Sequence, residues 1–171
     1  MSEIQKWFDR KFDLSFPVEL YPNILTRLRG TPARLEELIS AYSRETLTRQ
    51  HDGTWSIQEN AGHLLDLEQL WLSRLDDFAS GIETLRTADL SNRKTHEANH
   101  NGRNVKEILS QFRKARALLI ERAEGLDAKM YSRTALHPRL KTPMRLVDHL
   151  YFVAEHDDQH MARMWELGRM K

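Results

Sequence analysis

The chain has 171 residues with no cysteine, 26 Lys+Arg against 25 Asp+Glu, and a formal net charge of +1. Near-neutrality leaves no global field to attract nucleic acid or anionic lipid, and the lack of cysteine removes disulfides, thiolate metal ligands and a cysteine nucleophile together. No stretch is apolar for the length of a bilayer span, and the charged opening MSEIQKWFDRKFDL lacks a signal peptide's apolar core. The expectation is one domain, 1–171, in a cytoplasmic protein that contacts neither nucleic acid nor membrane.

The leading segment, with Trp7, Phe8, Phe12, Leu14 and Phe16, is more aromatic than a disordered tail requires, and is expected to cover the fold or meet a second subunit. Leu20, Ile24, Leu25 and Leu28 then recur at helical spacing, and Gly30 reads as a stop. Thr31 as N-cap and Pro32 at the first helical position predict a second helix carrying Leu35, Leu38, Ile39 and Tyr42 and ending near Thr48.

Ser56 to Glu59 forms a capping box, after which Leu64, Leu67, Leu70, Trp71 and Leu75 predict a long helix to Gly81. Residues 82–102 are polar and aperiodic, which predicts a long crossover. Asn104 and Glu107 repeat the cap pattern ahead of Val105, Ile108, Phe112, Leu119 and Ile120, up to Gly125. On this helix Arg113, Lys114 and Arg116 are diluted by acidic neighbours and read as a solvated face. Thr142 and Pro143 are expected to open the last helix, which carries Leu146, Leu150, Val153, Met164 and Leu167 before Gly168. Four long amphipathic helices with a short extra N-terminal helical segment imply an all-α four-helix bundle, its core at about 20–170.

His156 and His160 lie four residues apart on the last helix, one face and about 5–6 Å between Cβ atoms, so both can reach one divalent ion. A helical wheel places His149, Val153, His156, His160 and Met164 in one inward sector, where imidazoles need partners. His149 sits too far along the axis to join them and is expected to line a pocket. A third ligand must come from elsewhere in the fold; His63, in the second turn of its helix, has a broad apolar sector beside it that lets its ring approach a neighbouring helix, and Asn60, one turn earlier, is a pocket residue able to orient a ligand or water. Asp157 and Asp158 beside the pair read as solvated or as acceptors for the imidazoles. His51, His96, His100 and His137 fall in loops and are expected to be exposed, His137 near the pocket mouth.

The run HDGTWSIQENAGHLLDLEQLW (51–71) and the run LHPRLKTPMRLVDHLYFVAEHDDQHMARMWEL (136–167), with its His-x-x-x-His pair, resemble the metal-ligand helices of the DinB-like superfamily. The resemblance implies a four-helix bundle holding one divalent metal, nickel or zinc, through His63, His156 and His160. It implies an enzyme acting on a small molecule, either a hydrolase or a transferase dependent on a low-molecular-weight thiol, and often a homodimer. Three imidazoles with an open position are the pattern of a catalytic rather than a closed structural site. No general base is assigned, and a non-catalytic metal-stabilised bundle acting as a binding or sensor module stands as the alternative.

Overall fold

In the computed structural model, which describes residues 4–170, four long helices form the bundle: α1 (Tyr21–Ser40), α3 (Ile57–Ser80), α5 (Val105–Glu124) and α6 (Leu146–Leu167). Short helices α2 (Arg44–Thr48) and α4 (Arg93–Glu97) lie in the connections, and single 3-10 turns at Trp7–Asp9 and Val18–Leu20 form the N-terminal helical segment. A three-residue hairpin, β1 (Thr134–Leu136) with β2 (Pro143–Arg145), precedes α6. No helix of the described residues is long and apolar enough to cross a membrane.

The helices pack in a ring, α3 against α5 and α6, and α1 against the same two. Cross-helix pairs give the directions. Arg27 reaches Glu155 and Asp158 while Tyr42 lies against Gly168, so α1 and α6 run parallel. Glu68 meets Arg116 and Asp76 meets Arg122, so α3 and α5 are parallel too. A parallel α3–α5 neighbour pair requires the chain to return the length of a 20-residue helix, about 30 Å. The polar stretch predicted as a crossover does this.

Three expectations are corrected. The stop at Gly30 and the cap at Thr31 do not exist, because α1 continues through Gly30, Thr31 and Pro32. Pro32 has no N–H for the Leu28 carbonyl, and Arg116 Nη1 donates to that oxygen instead at 3.3 Å. The Thr31 hydroxyl faces the Asp157 carboxylate at 3.1 Å. Thr142 and Pro143 do not start α6. Pro143 begins strand β2, and the helix starts at Leu146, where Asp148 accepts from the Arg145 N–H at 2.8 Å. The Ser56–Glu59 capping box forms as expected.

Arg116 is the third correction: it is buried, not solvated. Its guanidinium forms hydrogen bonds to Glu68 at 2.6 Å and Asp157 at 2.6 Å, both buried. With Leu28 and Thr31 this polar layer ties all four long helices and separates two apolar clusters. One contains Leu28, Trp71, Leu119 and Val153, the other Leu35, Leu64, Phe112 and Met164.

Arg116→Met leaves two buried carboxyl groups without their cation and is expected to cost about 3–5 kcal/mol in urea unfolding. Gly30→Ala is expected to stabilise the protein by about 1 kcal/mol in the same assay, because Gly30 is inside a helix with open space where a Cβ would project.

Candidate metal centre

His63 from α3 and His156 and His160 from α6 converge. Their ring centroids lie 5.3, 4.7 and 4.5 Å apart, and one nitrogen from each falls within 4.8 Å of the others. The antiparallel packing of α3 on α6 brings this about, with the capping box at Ser56 setting where α3 begins.

Hydrogen bonds orient two of the rings. Asn60 Nδ2 donates to the Ser56 carbonyl at 2.8 Å, so Asn60 Oδ1 faces His160 Nδ1 at 2.8 Å and accepts its proton. On the other side, the Thr95 hydroxyl donates to Asp66 at 2.9 Å and therefore accepts from His63 Nδ1 at 3.0 Å. In both rings Nε2 is left with a free lone pair, the arrangement metal-ligating histidines adopt. His156 Nδ1 is buried with no hydrogen-bond partner, so this ring too has a nitrogen that protein groups do not satisfy. Three neutral imidazoles, an open side and no thiolate fit a divalent transition-metal ion.

Burial, reinforced by His160, pushes the His63 imidazole down to about 3. Burial also holds His156 and His160 well below the ordinary histidine value. All three are thus unprotonated at neutral pH, the state a metal requires.

The sequence profile of the DinB superfamily matches residues 27–164, which include all three histidines. The chain belongs to the DinB superfamily. Its fold is similar to that of YfiT from Bacillus subtilis, described as a probable metal-dependent hydrolase with an unusual four-helix bundle topology, at a TM-score of 0.79 and 20% identity. The likeness covers 94% of this chain and 92% of YfiT, and it establishes the four-helix architecture. Among curated proteins no sequence match is found.

In this DinB protein the histidines line a cavity of about 350 Å³. Its walls come from α3 and α6, and residues 87–90, His137 to Arg139, Trp7 and Phe8 close it over. The N-terminal segment thus covers the bundle: Trp7 packs edge-on to His156 at 5.1 Å, and Arg10 pairs with Glu155. Trp55 lies tilted against His63 at 4.7 Å between ring centroids and lines the cavity as well.

Other sequence expectations land elsewhere. Asn60 acts behind His160 and His149 is fully buried near Trp71 and Phe78, so neither is among the side chains lining the cavity. Asp157 is buried on Arg116, and Asp158 pairs with Arg27 and Arg34. His96 is exposed and His51 half-buried, but His100 and His137 are buried. His100 Nε2 lies 2.8 Å from Asp66, and its ring fills the space where a Cβ on Gly62 would stand. Sequence reasoning missed Asp66, Thr95 and His100. A glycine inside a helix beside His63, with Asp66 one turn on, was the available signal.

In the metal-free chain the imidazoles of His63, His137, His149, His156 and His160 all sit below their ordinary value, chiefly through burial. Unfolding lets each take up a proton near its ordinary value of about 6.5. The unfolded state then binds more protons, so stability falls as pH drops from about 6.5 toward about 3, by up to about 1.4 kcal/mol per pH unit per histidine. His149→Leu removes one such group. Urea unfolding of the metal-free variant is expected to lose less stability than wild type between about pH 6.5 and 5.

Proposed function

We propose that this protein is a metal-dependent enzyme acting on a small molecule, with His63, His156 and His160 holding one divalent ion, nickel or zinc. The observation that carries the proposal is the set of three neutral imidazoles, each with an uncommitted nitrogen, opening onto a walled cavity rather than closed off by a fourth protein ligand. That open side favours catalysis over the alternative of a metal that only stabilises a binding or sensor bundle.

An ion held there supplies Lewis acidity, polarising a substrate carbonyl or lowering the pKa of a water or thiol. The chain's own groups do the rest. Asn60 and the Asp66–Thr95 relay hold two rings in the ligating tautomer, while Trp7, Trp55 and Trp71 shape a largely apolar chamber that restricts water. The description of YfiT as a probable metal-dependent hydrolase supports hydrolysis as the first reading.

A second reading, transfer of a low-molecular-weight thiol, is favoured by the cavity's acid–base inventory. Asp89 is the carboxylate lining it, and Asp89 already accepts from Ser91 and Arg93. A hydrolase gains from a separate base. A thiol held by His63, His156 and His160 through such an ion would lose its proton to solvent and would be nucleophilic as the thiolate, so its demand for a protein base would be the smaller.

Elemental analysis of tag-free protein is expected to find about one nickel or zinc per chain, lost in each of His63→Ala, His156→Ala and His160→Ala. Failure of the wild type to take up either metal overturns the proposal. Retention of a full equivalent in a variant removes that residue from the ligand set. On the loaded protein, ester or amide turnover without added thiol identifies the hydrolase, and consumption of a thiol together with an electrophile identifies the transferase.

A further inference from the structure

The cavity has a second polar region. Arg74 lies three turns after His63 on α3, about 16 Å along the axis, and is almost fully buried. Its Nε and Nη2 donate to the Arg86 carbonyl at 3.1 and 2.9 Å, and the nearby Asp77 carboxylate, which favours its charge through space, is hydrogen-bonded to Arg86 and not to Arg74. Its remaining nitrogen, Nη1, faces His137 Nε2 at 3.4 Å.

That contact is short of an acceptor. His137 Nδ1 accepts from the Leu140 N–H at 3.2 Å, so the neutral ring carries its proton on Nε2. Two donors therefore face each other across the 3.4 Å gap. Nearby, Arg139 packs against Phe8 and Phe152, and its Nη2 is buried with no partner. Burial and the two arginines push His137 down to about 3, consistent with a positive neighbourhood. Asp89, the acidic residue lining the cavity, is occupied by its own turn. Buried donors without acceptors are costly, and two guanidiniums in an apolar chamber more so.

We infer that Arg139, Arg74 and His137 form a subsite for the carboxylate of an amphipathic substrate, whose apolar body lies between Trp7, Trp71 and Phe152. A carboxylate supplies acceptors for the Arg74 and Arg139 N–H groups and for His137 Nε2–H in one ion. The turn between β1 and β2 presents His137 and Arg139, and α3 presents Arg74, so the subsite exists only once the hairpin docks on the bundle. The assignment of substrate class rests on the proposed metal centre for the reacting end of the molecule. The subsite itself can be tested without metal.

The probe is 3-phenylpropionate against its neutral isostere 3-phenylpropionamide, titrated by calorimetry into the full metal-free chain and then into zinc-loaded protein. The metal-free wild type is expected to bind the acid about tenfold more tightly than the amide. Arg139→Met is expected to reduce the acid-over-amide preference several-fold, with Arg74 and His137 keeping the remainder, and Arg139→Lys to reduce it less. Equal affinity for acid and amide, binding of neither, or a preference undiminished in Arg139→Met overturns the subsite. Thermal melting of each variant separates loss of the subsite from loss of the fold, and the acid-to-amide ratio in the wild type decides even where a variant fails to fold. Metal uptake without an acid preference overturns the subsite alone, whereas an acid preference without uptake of either zinc or nickel overturns the metal centre and leaves the subsite standing.

Discussion

The buried ion pair system at Arg116 is the constraint on which the rest of the bundle depends. One guanidinium bridges Glu68 on α3 and Asp157 on α6 and reaches the Leu28 carbonyl on α1, while Thr31 meets the same Asp157. Apolar ridges alone tolerate sliding of one helix past another. A charged layer does not, because a slip by one turn strands buried charges. Burial raises the Glu68 carboxyl while Arg116 opposes that shift, so the layer holds together only as a unit. Pro32 belongs to the same arrangement, since an ordinary residue there would have claimed the Leu28 carbonyl.

That layer also positions the histidine cluster. Asp157 and His156 are adjacent on α6 and project about 100° apart, one toward the bundle axis and the other toward the cavity. Locking Asp157 on Arg116 therefore sets the rotation of α6 about its own axis, and with it the direction of His156. The partner histidine is oriented from outside the bundle. Thr95 and His100 come from the crossover, both gather on Asp66, and the Gly62 position is kept clear for the His100 ring. A segment that joins two parallel helices thus acts as the support for a ligand. Its polar composition reflects that work.

The cavity is unevenly furnished. Toward the histidines it presents unprotonated nitrogens, and around Arg74 and Arg139 it presents N–H donors with few acceptors. Aromatic walls separate these regions and lower the local dielectric, which strengthens any charge-assisted contact made there. Most of the covering segments lie outside the four long helices. The bundle supplies rigidity and the convergence of the three histidines, and the connections supply most of the chamber walls beside them.

Much of this was legible in local sequence. Helical periodicity marked the long helices, the Ser56–Glu59 box marked the start of α3, and the four-residue spacing of His156 and His160 marked a shared face, because each is set by interactions within a few residues. The resemblance to DinB-like proteins added His63 to that pair. What tertiary structure alone decided lay where a distant partner outweighed local preference. Gly30 and Pro32 read as punctuation, yet packing and an acceptor swap from Arg116 carry the helix through them. Arg116, Asp157, His100 and His137 read as solvated because polar side chains in a sequence carry no mark of their partners. Arg116, Asp157 and His100 are buried because a carboxylate or guanidinium from far along the chain compensates each, and only the folded backbone brings those groups within hydrogen-bond reach, whereas His137 has a local partner, the Leu140 N–H, and is buried by the docking of its hairpin.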